Sequence, residues 1–167
     1  MKKMYNKFAV DTFLGGLELL KIQLTKKQLK QFSIYLEELT RWNTKFNLIG
    51  PATDEEIVKK HFLDSLSVFS AFPVADSWLP ISVLDIGSGA GFPGVPLKIV
   101  KPEISLTLLD SSRKKTEFLR HFLKKLDVEA EIICDSAENA SKKSTKKYCN
   151  WRYGRDGKYN TFRIFYN

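Results

Sequence analysis

Leu84-Asp85-Ile86-Gly87-Ser88-Gly89-Ala90-Gly91-Phe92-Pro93-Gly94 is the stretch of this chain whose residue types and spacing bear on chemistry. Glycines at 87, 89 and 91 free the backbone for a tight turn and let a ligand come close to the main chain. The apolar, β-branched run Ile81–Ile86 precedes the turn and Val95–Val100 continues beyond it as a helix. A ligand in such a turn meets a helix N-terminus at the carboxyl end of a strand, where open α/β sheets bind. Asp85 ends the strand, placed to orient the loop or to meet an ammonium group on the ligand. Asp110 ends a second apolar run, Ile104–Leu109, where a carboxylate accepts both hydroxyls of a ribose. The chemistry described is the holding of a nucleoside-bearing ligand. No Ser-His-Asp order, metal-ligand cluster or other side-chain catalytic set accompanies it, and no catalytic residue is assigned.

Two ligands fit this pattern. Gly89-Ala90-Gly91-Phe92-Pro93-Gly94 matches G-x-G-x-x-G, with an acid about 20 residues on at Asp110, as a dinucleotide site requires. The preceding Asp85-Ile86-Gly87-Ser88 moves the start of the turn two residues earlier. The resulting Asp-x-Gly-x-Gly-x-Gly resembles motif I of class I methyltransferases, whose S-adenosyl-L-methionine has no pyrophosphate to lay on the helix. The flanks favour that second reading. Pro93 at the helix start is compatible with either, because its missing N–H would have no partner there. Asp110 has a simpler alternative as a helix cap, although Ser111-Ser112 follow and serve that purpose equally well. Asp135-Ser136-Ala137-Glu138 lies where an adenine edge would sit, and taken alone reads as a capping turn.

The elements that must position these residues follow from periodicity. Residues 5–21 read as a helix with Phe8, Phe13, Leu17 and Leu20 on one side and Gly15-Gly16 as a weak point. Thr25-Lys26-Lys27-Gln28 has the form of a capping box and opens a helix with Leu29, Phe32, Leu36 and Leu39 along one stripe. A second box, Thr53-Asp54-Glu55-Glu56, opens a helix with Ile57, Val58, Phe62, Leu66 and Phe69 apolar. His61 and Asp64 stand three apart on it, within reach of each other. Trp42, Phe46 and Phe62 are placed equally well for stacking on bases or for packing. Residues 72–80, with two prolines, read as a linker. From Ile81 onward strand alternates with helix: Ile81–Ile86, Val95–Val100, Ile104–Leu109, Lys114–Leu126 and Glu129–Cys134. That alternation implies right-handed crossovers and a parallel sheet. Beyond Glu138 neither period is kept. A fourth strand is due near Trp151–Lys158, and Phe162–Phe165 reads as a weak strand.

At 43% hydrophobic and 28% charged, the 167 residues suit one soluble domain with a small appended part. Apolar runs fall short of the ~20 residues that span a bilayer, no signal peptide is apparent, and two cysteines build neither a disulfide framework nor a zinc site. A cytoplasmic protein with no membrane or metal partner is expected. The net charge is +8, but residues 139–167 hold eight basic residues against one acid, and residues 1–138 hold 19 against 18. The excess thus reads as a property of the tail.

Several stretches together resemble one family. They are Arg41-Trp42-Asn43-Thr44-Lys45-Phe46-Asn47-Leu48, Glu56–Leu66, and the loop Leu84–Leu97 with its Gly-Phe-Pro-Gly sequence. Leu109-Asp110-Ser111 with Lys114-Lys115, Phe118-Leu119 and Ala137-Glu138 complete the set. The chain is similar, over about residues 1–138, to 16S ribosomal RNA (guanine-N7) methyltransferases of the RsmG or GidB type. The resemblance implies an α/β fold, a class I methyltransferase Rossmann-like parallel sheet, incomplete at the C-terminus and preceded by a helical subdomain. Residues 1–72 would be that subdomain, 81–138 the S-adenosyl-L-methionine-binding core, and 139–167 a divergent basic tail, truncated or read out of frame. It implies methyl transfer to guanine N7 of 16S ribosomal RNA or the small ribosomal subunit, by a monomer. Cofactor contacts would come from Gly87 and Phe92 in the loop, Asp110 at the ribose, Ala137 and Glu138 at the adenine, and Arg155, with Asp85, Gly89 and Gly91 shaping the turn. Two alternatives remain: a non-catalytic fragment that holds cofactor or RNA, and an NAD-dependent oxidoreductase.

Overall fold

Thr25 and Thr53 each start a helix by a reciprocal cap. The Thr25 hydroxyl accepts from the Gln28 N–H while the Gln28 side chain accepts from the Thr25 N–H, and Thr53 and Glu56 do the same. The computed structural model describes residues 7–71, 81–139, 149–153 and 160–166. The 72–80 linker and Arg155 lie outside them. Helix α1 (Lys7–Leu19) buries Ala9, Phe13 and Leu17, while Phe8, expected inside, is 58% exposed. The face is set one residue later, because Gly16 has no side chain and Leu63 packs against the bare backbone there. Gly16 is therefore a contact surface within an unbroken helix, while Gly15 faces open space.

Helix α2 (Lys26–Phe46) ends at Asn47 in a left-handed conformation. It buries Phe32, Leu36 and Leu39 as expected, but leaves Leu29 at the surface and takes Gln31, Tyr35 and Glu38 inside. These three are tolerated because each polar tip finds a partner. Gln31 donates to the Leu126 carbonyl, Tyr35 to the Ala90 carbonyl, and Glu38 is ringed by cations. The helix expected after Thr53 is subdivided. Asp54–Ile57 (α3) passes into a π-helical turn, Val58–Leu63, then Asp64–Leu66 (α4) and Val68–Ala71 (α5).

The sheet order is β3-β2-β1-β5-β4. Strands β1 (Ile81–Ile86), β2 (Ser105–Leu109) and β3 (Glu131–Ile133) are parallel, joined through α6 (Gly94–Val100) and α7 (Arg113–Leu126). This Rossmann-like half-sheet is what the strand–helix alternation required. The far edge of β1 is not left open. Strands β4 (Cys149–Tyr153) and β5 (Asn160–Tyr166) pair antiparallel, and β5 runs antiparallel along all six residues of β1. Ladder hydrogen bonds need only backbone groups, so aperiodic text can still cap an edge that would otherwise be exposed. A single cluster of buried side chains runs from Phe13, Phe32 and Phe62 through Tyr35 and Phe92 to Leu106, Leu108, Phe118 and Phe122. The helical part and the sheet thus share one core. Among the described residues no helix is long and apolar enough to cross a membrane.

Candidate functional site

The loop after β1 is held by backbone bonds at the carboxyl ends of the strands. The Gly87 and Ser88 N–H groups donate to the Leu109 carbonyl at 2.7 and 3.1 Å, and the Asp110 N–H donates to the Ile133 carbonyl at 3.1 Å. Gly87, Gly89 and Gly91 all have positive φ, at 74°, 56° and 98°, a conformation that a Cβ penalises by roughly 1–2 kcal/mol. The three glycines differ in surroundings. At Gly89 an added Cβ would meet only the Gly87 carbonyl at 3.7 Å. At Gly91 it would run into Val95 Cγ2 at 2.8 Å and Tyr35 Oη at 2.9 Å. Gly91 is therefore needed for packing, while Gly89 keeps open space beside the turn. Helix α6 starts at Gly94, one residue before the expected start, with Pro93 as its N-cap.

Asp110 ties the loop to α7. Its Oδ2 accepts from the Gly89 N–H at 2.9 Å and its Oδ1 from the Ser112 N–H at 2.8 Å, with Lys115 Nζ 3.9 Å away. An ionised carboxylate has about four acceptor sites, so each oxygen keeps capacity for a ligand hydroxyl. The cap is also real: Asp110 serves the entry to α7, whose N-cap residue Ser112 makes no side-chain bond.

Asp85 is fully buried. Its Oδ2 accepts from the Gly94 N–H at 3.0 Å, while Oδ1 has no partner. Burial pushes the carboxyl up to about 8; the Gly94 bond opposes this and nearby Asp110 adds to it. The Gly94 bond ties the end of β1 to the start of α6 across the loop, as the loop-orienting role requires. The first N–H of α6 is thereby turned onto an internal carboxylate, and an acid occupies the place where a pyrophosphate would need bare amides.

The ring of Phe92 is buried too. It stacks on Tyr35 (centroids 5.1 Å, 6° between planes) and on His61 (4.8 Å, 24°). Its ring thus joins the loop to the helices, and its backbone belongs to the glycine turn. His61 belongs to the π-helical turn and is held below its ordinary pKa, first by burial and also by Lys60, with Asp64 opposing.

Ala137 and Glu138 are exposed at the start of a helical turn after β3. Ser136 Oγ accepts from the Asn139 N–H at 3.3 Å, and Asp135 Oδ1 accepts from Asn139 Nδ2 at 3.0 Å. The capping reading describes the local bonds, and the turn stands at the same end of the sheet as Gly87 and Asp110. Among the described residues no three His, Cys, Asp or Glu groups come together to hold a metal.

Tyr35 was not singled out by sequence. Fully buried, it donates to the Ala90 carbonyl at 2.7 Å from 55 residues away, so a helix outside the sheet sets the loop. Its pKa is driven well up by burial and by Asp85, and the hydroxyl stays protonated. Tyr35→Phe keeps the stacking but strands the Ala90 carbonyl. We expect urea unfolding to show a loss of about 1–2 kcal/mol, with weaker ligand binding. Stability equal to wild type would remove Tyr35 from the loop's support.

Residues 28–151 match the family model described as GidB, rRNA small subunit methyltransferase G. Relatives named ribosomal RNA small subunit methyltransferase G from Bacillus thuringiensis (strain Al Hakam), Bacillus cereus (strain B4264) and Bacillus anthracis (strain CDC 684 / NRRL 3495) are each 41% identical over 135 residues. The aligned part is 80% of this chain and 55% of each relative, so the chain spans about half the length of the curated relatives it matches.

Proposed function

Because the chain belongs to the rRNA small subunit methyltransferase G (GidB) family, we propose that its glycine loop binds S-adenosyl-L-methionine for methyl transfer to guanine N7 of 16S ribosomal RNA. The observation that carries this reading is the loop itself: three left-handed glycines closed by Asp110 at the end of β2. The residues fit this cofactor better than a dinucleotide. Asp85 takes the α6 amide that a pyrophosphate would use, whereas S-adenosyl-L-methionine has no phosphate to place. In this reading Asp110 accepts from the ribose hydroxyls, Gly87 and Gly89 let the ligand lie on the backbone, and Ala137 and Glu138 flank the adenine. Arg155 is retained as a contact from the tail. The chain acts as a cytoplasmic monomer on RNA or the small subunit.

When bound, the cofactor supplies an electrophilic methyl group on a sulfonium. Guanine N7 carries an in-plane lone pair already, so no side chain need remove a proton to create the nucleophile. The protein's task is alignment. Holding two reactants in line contributes up to about 7–11 kcal/mol to such reactions. Tyr35, Phe92 and Asp85 serve that task by fixing the loop from beneath, and the Asp110 carboxylate would hold the ribose end of the cofactor.

Calorimetric titration of the full chain with S-adenosyl-L-methionine, with NADH as the control, tests the reading. We expect saturable binding of the first only, weakened roughly 10- to 100-fold in Asp110→Ala by loss of charge-assisted hydrogen bonds. Binding of NADH alone would overturn it. Single-turnover methylation of unmodified small subunits then separates the enzyme from a fragment that binds without reacting.

A further inference from the structure

Charge is segregated within the folded part of the chain. Helices α2 and α7 together carry eleven basic and three acidic residues, while the rest of the described residues 7–71 and 81–138 carries six basic and fourteen acidic. The near-neutral sum over residues 1–138 conceals this, because the two helices are distant in sequence and adjacent in space. They pack antiparallel. Lys27 pairs with Asp127 at 2.9 Å, Glu38 with Lys125 at 2.8 Å, and Trp42 meets Phe118 and His121 at 5.4 and 5.5 Å.

Glu38 organises the seam. Its side chain is 7% exposed and takes Arg41 at 2.6 Å, Lys125 at 2.8 Å and His121 at 3.6 Å. Burial pushes Glu38 up, but Lys125 and Arg41 outweigh it and the group stays ionised, below its usual range. One carboxylate beneath the surface thus fixes two cations and an imidazole that remain 40–52% exposed. Aromatic rings interleave with them. Trp42 is half-buried against Phe118, and Phe46, 45% exposed, lies on Trp42 at 5.2 Å. The seam ends at the glycine loop, where Lys115 of the first turn of α7 reaches toward Asp110.

We propose that the α2–α7 seam is the surface that holds the RNA strand carrying the target nucleotide, with Arg41, Lys45 and Lys125 against phosphates and Phe46 with Trp42 under a base. This rests on the methyltransferase reading above. Fixed cations beside exposed rings suit single-stranded nucleic acid, which offers phosphates and unpaired base faces together. The other faces of the folded part carry net negative charge and would repel it.

The test compares the full chain with Lys45→Glu/Lys114→Glu on the seam, where Lys114 lies one turn before Phe118 on α7, with Phe46→Ala, and with Lys7→Glu/Lys21→Glu at the start of α1 and just past its end (the α1 pair) as a charge-matched control, using a short labelled single-stranded RNA. The tail is common to all four and its contribution cancels. We expect the seam pair to weaken binding about tenfold or more and to lower the salt dependence by roughly 1.4 in log–log slope, about 0.7 for each of two phosphate contacts on a single strand. Phe46→Ala should weaken it by about fivefold or more, and the α1 pair should leave it near wild type. S-adenosyl-L-methionine titration of the same variants should be unchanged. Equal losses in the seam and α1 pairs, or no RNA binding by a chain that still binds cofactor, would overturn the seam and leave the cofactor site standing. Displacement of RNA by polyglutamate of matched charge would assign the surface to an acidic protein instead. Absence of cofactor binding would bring down the underlying reading, and the seam proposal with it.

Discussion

Asp85→Asn is expected to make the folded chain less sensitive to pH and more stable than wild type near neutrality. Burial holds Asp85 at about 8, against 3.8 in a solvated chain. The unfolded state therefore releases this proton near pH 4, while the folded state keeps it to about pH 8. Between those values the folded state binds the extra proton, so stability falls as pH rises, and it levels off above pH 8. By pH 7 the shortfall is roughly 4 kcal/mol, at about 1.36 kcal/mol per pH unit. Asparagine does not titrate, and its carbonyl still accepts from the Gly94 N–H. Urea unfolding from pH 4.5 to 8.5 should show wild type losing stability relative to the variant across the range, while both share the gain with rising pH that the lowered His61 pKa contributes. Parallel curves would mean that Asp85 is solvated. Cofactor titration separates its two roles. If Asp85 only orients the loop, the variant binds nearly as well as wild type, whereas Asp85→Ala, which frees Gly94, does not. A tenfold or greater loss in Asp85→Asn would point to direct contact with the ligand's ammonium.

That prediction was out of reach of the sequence, and the reason is physical. An aspartate before a glycine-rich turn reads equally as ligand contact or loop support, and only burial on all sides separates the two. The parts that were legible are local. Glycines at 87, 89 and 91, the threonine–glutamine and threonine–glutamate caps, and an acid at the end of β2 each depend on a few residues of chain. Parallel pairing of β1, β2 and β3 followed from strand–helix alternation, because right-handed crossovers leave little choice. The parts that were hidden join distant text. Tyr35 sits one turn from Phe32 on α2 but acts on Ala90, and Glu38 reads as a solvated charge until Lys125, 87 residues on, folds over it. Phe92 reads only as part of the glycine loop, and the stacking of its ring on Tyr35 and His61 joins residues 57 and 31 positions away. Strands β4 and β5 fall close to the strand due near Trp151–Lys158 and the weak one at Phe162–Phe165; what stayed hidden was their antiparallel pairing beside β1, which runs through main-chain groups and leaves no signature in side-chain pattern.

Gly91→Ala and Gly89→Ala are expected to fail in opposite ways, although both glycines have positive φ in one turn. At Gly91 the new methyl carbon would lie 2.8 Å from Val95 Cγ2, 2.9 Å from Tyr35 Oη and 3.3 Å from Leu119 Cδ2, with φ at 98°. The backbone strain is about 1–3 kcal/mol and overpacking adds about 1–3. Tyr35 is the group most able to move, and its movement breaks the bond to Ala90 and disturbs the stack on Phe92. The loss should therefore be large, roughly 3–5 kcal/mol in urea, with cofactor binding lost as a consequence. At Gly89 a methyl group meets nothing closer than 3.7 Å, and φ of 56° lies in the ordinary left-handed well. Only about 1–2 kcal/mol of conformational cost is expected, and the chain stays folded. What that methyl does occupy is the open space beside the Gly89 N–H that Asp110 holds, where the proposed ligand must lie against the backbone. Cofactor affinity should thus fall at least tenfold in a protein that stays folded and has lost only that roughly 1–2 kcal/mol of stability. Unimpaired binding by Gly89→Ala would place the ligand elsewhere. An unchanged unfolding midpoint for Gly91→Ala would mean that Tyr35 does not press on the loop, and that the helices do not position the site.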